Sequence, residues 1–103
     1  MLVAVGRLGQ ASVDTLGAAL ESVSRERGLI LDLTHVDYVS SAALMAIDAA
    51  ASRRAKADDL LVLCGVQDPV RIALDLAGLL PRVAIEASPD EAAARVISRL
   101  ANR

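Results

Sequence analysis

The chain alternates short apolar runs with segments of helical periodicity, and this alternation limits what it can fold into. Runs such as Leu29–Leu33 and Leu60–Cys64 are almost continuously apolar, which is typical of strands buried on both faces of a sheet. Between such runs, apolar residues recur every three or four positions, as in the stretch Val13–Val23. Strands separated by helices favour an α/β fold with a mostly parallel sheet.

The runs and helical stretches fit a four-stranded sheet with the order βαβαβαβα. The first predicted strand is Leu2–Val5, closed by Gly6 and Gly9, and the last is a weak strand at Val83–Ile85. Caps, prolines and glycines mark the helix boundaries: Ser12 and Gly28 around the first helix, Asp68-Pro69 and Gly78 around the third, and the capping box Ser88–Glu91 before the last.

The last predicted helix shows clear amphipathic spacing. Four apolar residues lie on one side of it, and we expect that side to face the core: Ala93, Val96, Ile97 and Leu100. Arg95 and Arg99 lie away from that side and are expected to face water.

Length and composition narrow the function classes. A chain of 103 residues makes one domain, residues 1–103, and 54% apolar residues exclude intrinsic disorder. A net charge of −2 and a single aromatic residue argue against nucleic-acid binding. One cysteine and one histidine exclude a cysteine-based or multi-histidine metal site. No run is long enough to enter a membrane and no signal peptide is evident, so we expect a soluble, cytoplasmic protein.

The adjacent serines Ser40 and Ser41 are the most informative polar residues, because they stand where a strand gives way to a helix. One interpretation is that either serine simply caps the helix. The other is that a serine here accepts a phosphate, which would face the free amides and the positive dipole end of the helix. The two interpretations are compatible.

Three other residues have candidate chemistry, each with a simpler alternative. Asp32 ends an apolar run, where a general base or metal ligand is found in open α/β sheets, but no paired acid supports this and a turn-stabilising role is favoured. His35 is a lone histidine, expected in a solvated loop, and no Ser-His-Asp arrangement is evident. Cys64 lacks a partner cysteine and is expected in the core. We therefore predict no catalytic residue, metal or cofactor.

The segment Leu31–Ile47, with the sequence LDLTHVDYVSSAALMAI, resembles the signature of STAS domains, in particular the bacterial anti-sigma factor antagonists. The match consists of an apolar strand with Asp-Leu-Thr, a short aliphatic and aromatic stretch, and then a serine pair leading into Leu44. The remaining segments follow the family's order along nearly the whole chain.

The resemblance implies a phosphorylation-switched binding module and not an enzyme. Ser41 falls on the family's phosphorylated serine, and the implied partner is an anti-sigma factor with serine kinase activity. The implied partner-binding residues are Asp32, Thr34, Ser40, Ser41, Ala42, Ala43, Leu44 and Met45.

Two departures from the family pattern favour an alternative. Ala43 stands where a glycine is usual, and the turn Gly6–Gly9 lacks the family's two acids. The resemblance also leads us to expect another strand before Leu2, and its loss would leave a sheet edge unpaired and suited to a homodimer. The alternative is a docking or regulatory STAS subunit of a membrane transport assembly, such as a lipid ABC system, or of a stress-sensing complex, in which the serine is not phosphorylated.

Overall fold

The computed structural model of the chain describes residues 2–8, 13–22 and 28–101. Four strands alternate with four α-helices along these residues. The strands are β1 (Leu2–Leu8), β2 (Ile30–Val39), β3 (Val62–Cys64) and β4 (Ala84–Glu86). The helices are α1 (Val13–Ser22), α2 (Ser41–Lys56), α3 (Asp68–Leu76) and α4 (Pro89–Ala101), with a 3₁₀ turn at Leu80–Arg82.

The strands form one parallel sheet in the order β1-β2-β3-β4. Neighbours in the sheet are also consecutive along the chain, so each helix carries the chain back to start the next strand beside the last. The predicted α/β fold with alternating strands and helices is confirmed.

Helices cover both faces of the sheet. The larger apolar cluster lies beneath α1, α2 and α3. It contains alternate residues of the strands, including Leu31, Leu33 and Leu63. A smaller cluster lies beneath α4 and takes the intervening residues, including Ile30 and Val62. Burial from both sides is the physical reason that β2 and β3 have continuous apolar runs in the sequence.

β2 is longer than the sequence pattern predicted. It spans Ile30–Val39, whereas the apolar run ended at Leu33. Its pairing with β3 stops at Asp32, and the rest of the strand continues beside β1 alone among the described strands. The prediction that His35 lies in a loop was wrong, because this residue belongs to the continuation of β2 and has its side chain exposed.

The second half of β2 buries every third residue. Leu33, Val36 and Val39 are buried, and the two residues in each interval are exposed. The pairing with β1 shifts register twice over this stretch, and each shift places an extra residue in β2. A half-buried strand is identified in sequence by apolar residues at every second position. Because the spacing here is three, the sequence did not predict that the strand continues beyond Leu33.

Other boundaries differ from the prediction by a few residues. β1 continues through Gly6, and β3 begins at Val62 instead of Leu60. The N-cap of α3 is Gln67, and Asp68, predicted as the cap, is the first helical residue. The predicted turn residue Gly9 and the predicted cap Ser12 lie outside the described residues.

The end of α3 and the start of α4 follow the sequence signals. Gly78 takes a left-handed φ of 74° just after α3. At α4, Ser88 Oγ accepts a hydrogen bond from the Glu91 amide at 3.2 Å, and the Glu91 carboxylate accepts one from the Ala87 amide at 3.2 Å. The capping box is therefore present, with the carboxylate reaching one residue further back than the usual motif.

Only half of the predicted inward side of α4 faces the core, because Ala93 and Val96 pack against the smaller apolar cluster but Ile97 and Leu100 do not. Ala92 is fully buried and Val96 half-buried, whereas Ile97 is 67% exposed and Leu100 41% exposed. The 13 residues of α4 span roughly 20 Å, and the three-residue strands β3 and β4 only about 10 Å. The last turns of α4 therefore extend beyond the sheet that would cover them.

A buried ion pair lies at the turn between α2 and β3, and its acid also binds the chain just before β2. Arg54 Nη1 donates to Asp59 Oδ2 at 2.9 Å, and the two side chains are only 4% and 5% exposed. Both Asp59 oxygens also accept from the Gly28 amide at 3.1 Å. Asp59 thereby fixes the axial position of α2 against the sheet.

Candidate protein-interaction site

The two serines at the start of α2 have different environments. Ser40 is the N-cap, with extended backbone (φ −79°, ψ 166°), and its Oγ accepts a hydrogen bond from the Ala43 amide at 3.1 Å. Its side chain is buried, whereas Ser41, the first helical residue, is exposed. The structure gives the capping role to Ser40 and leaves Ser41 at the surface.

Replacing the two serines separately should show this difference as a difference in stability. We expect Ser40→Ala to lower the free energy of unfolding by about 1 kcal/mol, because the Ala43 amide loses its acceptor. Ser41→Ala should change it by less than about 0.5 kcal/mol, as an exposed substitution does. Urea unfolding of both variants measures this, and equal losses would contradict the assignment of the cap.

The surroundings of Ser41 favour an anion at this position. It lies in the first turn of α2, where backbone amides lack helical partners and the helix dipole is positive. The first turn contains no acidic residue. A negative group on Ser41 would therefore be stabilised locally and would leave the cap of Ser40 in place.

A shallow groove of about 240 Å³ lies directly beside Ser41. It separates α2 from the segment after α3, and its lining is mainly apolar. The lining residues are Ser41, Leu44, Met45, Asp48, Ala77 and Leu79. Met45 is 73% exposed, so an apolar side chain stands in water next to the serine.

The residues after Ser41 divide between surface and core. Met45 is exposed, Ala42 and Leu44 are half-buried, and Ala43 is fully buried. The methyl group of Ala43 packs into the larger apolar cluster. Ala43, predicted to contact a partner, therefore does not reach the surface, and its methyl in place of the family's glycine adds no bulk there.

Asp32 and Thr34, also predicted at the partner surface, form a separate unit. Oδ1 of Asp32 accepts from the Thr34 amide at 3.0 Å and from the Thr34 hydroxyl. The hydroxyl bond, more than any other contact, holds the pKa of the Asp32 carboxyl below its ordinary value, although burial acts to raise it. Neither residue lines the groove beside Ser41. Asp32 and Thr34 both lie within β2, so these contacts hold an irregular part of the strand and not the turn that the sequence predicted.

Cys64 completes this unit from β3. It lies opposite Asp32 in the parallel ladder between β2 and β3. Burial, with the neighbouring Asp32 charge, raises the pKa of the Cys64 thiol to about 11. The thiol is fully buried and stays protonated at neutral pH, which suits a core residue and not a nucleophile.

The chain after β3 packs closely onto Thr34. Gly65 has a left-handed φ of 65°, and a Cβ built there would lie 2.0 Å from Thr34 Oγ1. Gln67 Nε2 donates to the Thr34 carbonyl at 2.8 Å. This contact draws the Gln67 side chain away from capping α3 and fixes the loop between β3 and α3 to β2.

The Asp32–Thr34 bond predicts a pH-dependent effect of Thr34→Val. A carboxyl with a folded pKa below its unfolded value contributes stability above the unfolded pKa and loses it as pH falls through the folded pKa. Thr34→Val should raise the Asp32 pKa towards its ordinary value. It should therefore lower stability at pH 7 and have a smaller effect in strong acid.

NMR titration of the Asp32 carboxyl carbon, with urea unfolding at pH 7 and in strong acid, tests this. Thr15→Val, at an exposed threonine of α1, is the matched control and should leave the Asp32 titration unchanged. An unchanged Asp32 pKa in Thr34→Val would refute the role of the hydroxyl.

The described residues show neither a metal cluster nor a membrane-spanning helix. Among them, no group of three or more His, Cys, Asp or Glu side chains could hold a metal ion. No helix in the described ranges is both long enough and apolar enough to cross a bilayer.

The sequence predicted three residues of the groove, Ser41, Leu44 and Met45, but not the other three. Asp48, Ala77 and Leu79 were not predicted as site residues. Asp48 lies seven residues after Ser41, two helical turns on, so helical spacing could have placed it on the same side. No local signal connects Ala77 and Leu79 with α2, because they come from a different crossover.

Comparison with known proteins places the chain in a family. Residues 1–92 match the family model described as STAS domain. A Bordetella bronchiseptica protein that bears the name anti-sigma factor antagonist BtrV is 33% identical over 98 residues, which are 91% of this chain and 84% of that protein.

Solved structures share the fold at lower identity. A Thermotoga maritima protein described as an anti-sigma factor antagonist has a TM-score of 0.74 at 19% identity, covering 91% of this chain and 85% of that one. The structure of the anti-sigma factor antagonist SpoIIAA in its unphosphorylated form has a TM-score of 0.69 at 12% identity, covering 98% of this chain and 87% of that one. A sulfate transporter family protein from Wolinella succinogenes has a TM-score of 0.77 at 20% identity, covering 91% of this chain and 80% of that one. The match of residues 1–92 to the family model, together with the identity to BtrV, shows that the chain belongs to the STAS domain family.

Proposed function

We propose that this protein is an anti-sigma factor antagonist that is switched by phosphorylation of Ser41. In the unphosphorylated state it would bind an anti-sigma factor with serine kinase activity and so free a sigma factor, acting in the cytoplasm. The observation that carries the proposal is the exposed Ser41 at the start of α2, beside an apolar groove. The similarity to BtrV supports the same function.

The switch would act at the surface without rearranging the fold. The Ser41 hydroxyl oxygen would attack the γ-phosphorus of ATP bound to the partner, the bond to ADP would break, and the hydroxyl proton would pass to a base of the partner. The product carries a charge of about −1.5 to −2. Ser40 would keep its cap to Ala43, so α2 can remain as it is.

The added charge would oppose binding for two reasons. The groove lining next to Ser41 is apolar, and a partner covering it would have to strip water from a dianion. Among the lining residues that the structure describes, the only charged side chain is the acid Asp48, so these residues offer the phosphate no cation. A bound partner would therefore be released by desolvation cost and bulk.

Purified serine kinase anti-sigma factors of the source organism, tested one at a time with ATP, provide the experiment. We expect one of them to bind wild-type protein, to add a single phosphate to it and to none of Ser41→Ala, and to lose affinity for the phosphorylated form. Ser41→Asp should bind at least tenfold more weakly. Ser98→Asp, at an exposed serine of α4, is the matched control for added charge and should bind as wild type does. Phosphorylation of Ser41→Ala to the wild-type level would overturn the assignment of Ser41.

A docking subunit of a membrane transport complex is the second candidate function. The fold similarity to a sulfate transporter family protein favours it. In that case Ser41→Asp and wild type should capture the same purified transport subunits equally well. Release of those subunits by the charge that Ser41→Asp introduces would exclude this alternative.

We also propose a homodimer through the outer edge of β1. Among the described strands β1 has a neighbour on one side only, and its seven residues include no proline. An unpaired edge of this length favours pairing with a second copy. Light scattering after size-exclusion chromatography should give twice the chain mass, and Val5→Pro should give the monomer; a monomeric wild type would refute the dimer.

A further inference from the structure

The apolar surface beside Ser41 extends beyond the groove onto α3. Leu76 is 85% exposed and immediately precedes Ala77, a groove residue. Ile72 is 60% exposed and lies one turn before Leu76 on the same side of α3. With Met45 of α2, three of the six large hydrophobic residues exposed in the described ranges belong to the two helices that border this groove.

Asp48 is the single charged side chain among the described residues that line the groove. Asp48 lies seven residues after Ser41, roughly 10 Å along α2, so the two residues mark opposite ends of the groove. Asp48 Oδ1 accepts from Arg82 Nη1 at 2.8 Å, but both side chains remain in water, at 43% and 58% exposed. Exposed pairs of this kind are weak, so a cation from another protein can replace Arg82.

We propose that this groove receives one apolar side chain of the anti-sigma factor. An arginine or lysine beside that side chain would replace Arg82 as the ion-pair partner of Asp48. The apolar side chain would lie against Leu44 and Met45 and be covered by Leu76. Charge complementarity at Asp48 sets the orientation. The inference rests on the proposed function and adds to it the chemistry of the partner.

The arrangement accounts for the position of the switch. A phosphate on Ser41 would lie at the apolar end of the groove, where the partner's side chain must be desolvated. The partner's cation, at the Asp48 end, would be about one Debye length away and would compensate little. The same modification at the Asp48 end would meet that cation and would favour binding instead.

Introducing charge at the apolar residues tests the groove. Leu76→Glu and Met45→Glu should each weaken binding to the purified serine kinase anti-sigma factor at least tenfold, with unchanged circular dichroism and urea midpoint. Ile97→Glu, at a similarly exposed position on α4, is the matched control and should bind within about twofold of wild type.

A pair of variants separates recognition by Asp48 from a structural role. Asp48→Asn and Arg82→Gln break the same ion pair, so a structural effect would be the same in both. The proposal expects opposite results: Asp48→Asn should bind about three- to fivefold more weakly, and Arg82→Gln as tightly as wild type or more tightly, because Asp48 is then released.

The outcomes distinguish this inference from the proposed function. If phosphorylated Ser41 releases the partner but Leu76→Glu and Met45→Glu bind as wild type does, the groove is not the docking site and the switch stands. Equal weakening by Asp48→Asn and Arg82→Gln would likewise overturn the role of Asp48. If no purified anti-sigma factor binds wild-type protein, both proposals fail.

Discussion

Arg54→Ala is expected to lower the free energy of unfolding by about 3–5 kcal/mol, a large part of the stability of a small domain. The guanidinium is 4% exposed and donates to Asp59, which is 5% exposed. Without Arg54 the Asp59 carboxylate stays buried, and the hydrogen bonds that it still accepts from the Gly28 amide do not neutralise its charge. Chemical unfolding of the purified variant at pH 7 measures the loss.

Arg53→Ala is the matched control, because the neighbouring arginine also has an acidic partner. Arg53 and Glu21 are 3.5 Å apart, but their side chains are 45% and 70% exposed. Such a pair contributes at most about 1 kcal/mol. A loss in Arg54→Ala no greater than in Arg53→Ala would show that the Arg54–Asp59 pair is not buried in solution.

Gly65→Ala is expected to cost about 3 kcal/mol or more, from backbone strain together with a lost bond to a charged group. The new Cβ would lie 2.0 Å from Thr34 Oγ1 and 3.0 Å from the Thr34 Cα. Because a backbone atom is among the close contacts, rotation of the Thr34 side chain alone does not relieve the clash. The hydroxyl would leave Asp32, so the Asp32 pKa should rise.

Gly78→Ala separates the two contributions. Gly78 has a similar φ of 74°, but a Cβ there would meet nothing within 4 Å. Its replacement should cost only the left-handed strain, about 1–2 kcal/mol, and should leave the Asp32 pKa unchanged. If the two variants lost the same free energy of unfolding, or if the Asp32 pKa did not change in Gly65→Ala, the close contact between Gly65 and Thr34 would be contradicted.

The order of strands and helices could be predicted because its signals are local. Apolar runs, helical spacing and caps such as Ser88 each depend on a few neighbouring residues. The serine pair could be located for the same reason. Which serine caps α2 could not be predicted, because Ser40 and Ser41 are chemically identical and only the exact start of the helix distinguishes them.

Features that join distant segments had no signal in the sequence. Arg54 and Asp59 read as surface charges near the end of a helix, and only the three-dimensional structure shows that they are buried together. The groove beside Ser41 combines α2 with Ala77 and Leu79, which come from the segment after the next strand and helix. A local role for Asp32 could be predicted because Thr34 is close to it in sequence, but the predicted turn is part of β2.

The spacing of buried residues in the second half of β2 bears on how such a protein diversifies. Between Leu33 and Val39 only Val36 must fit the interior, and the four remaining positions face outwards. Thr34 is held by its hydrogen bonds to Asp32, but sequence drift at His35, Asp37 and Tyr38 changes the surface that leads into Ser40 while leaving the core unaltered. Gene copies could in this way acquire distinct partners while keeping the same fold and the same helix start.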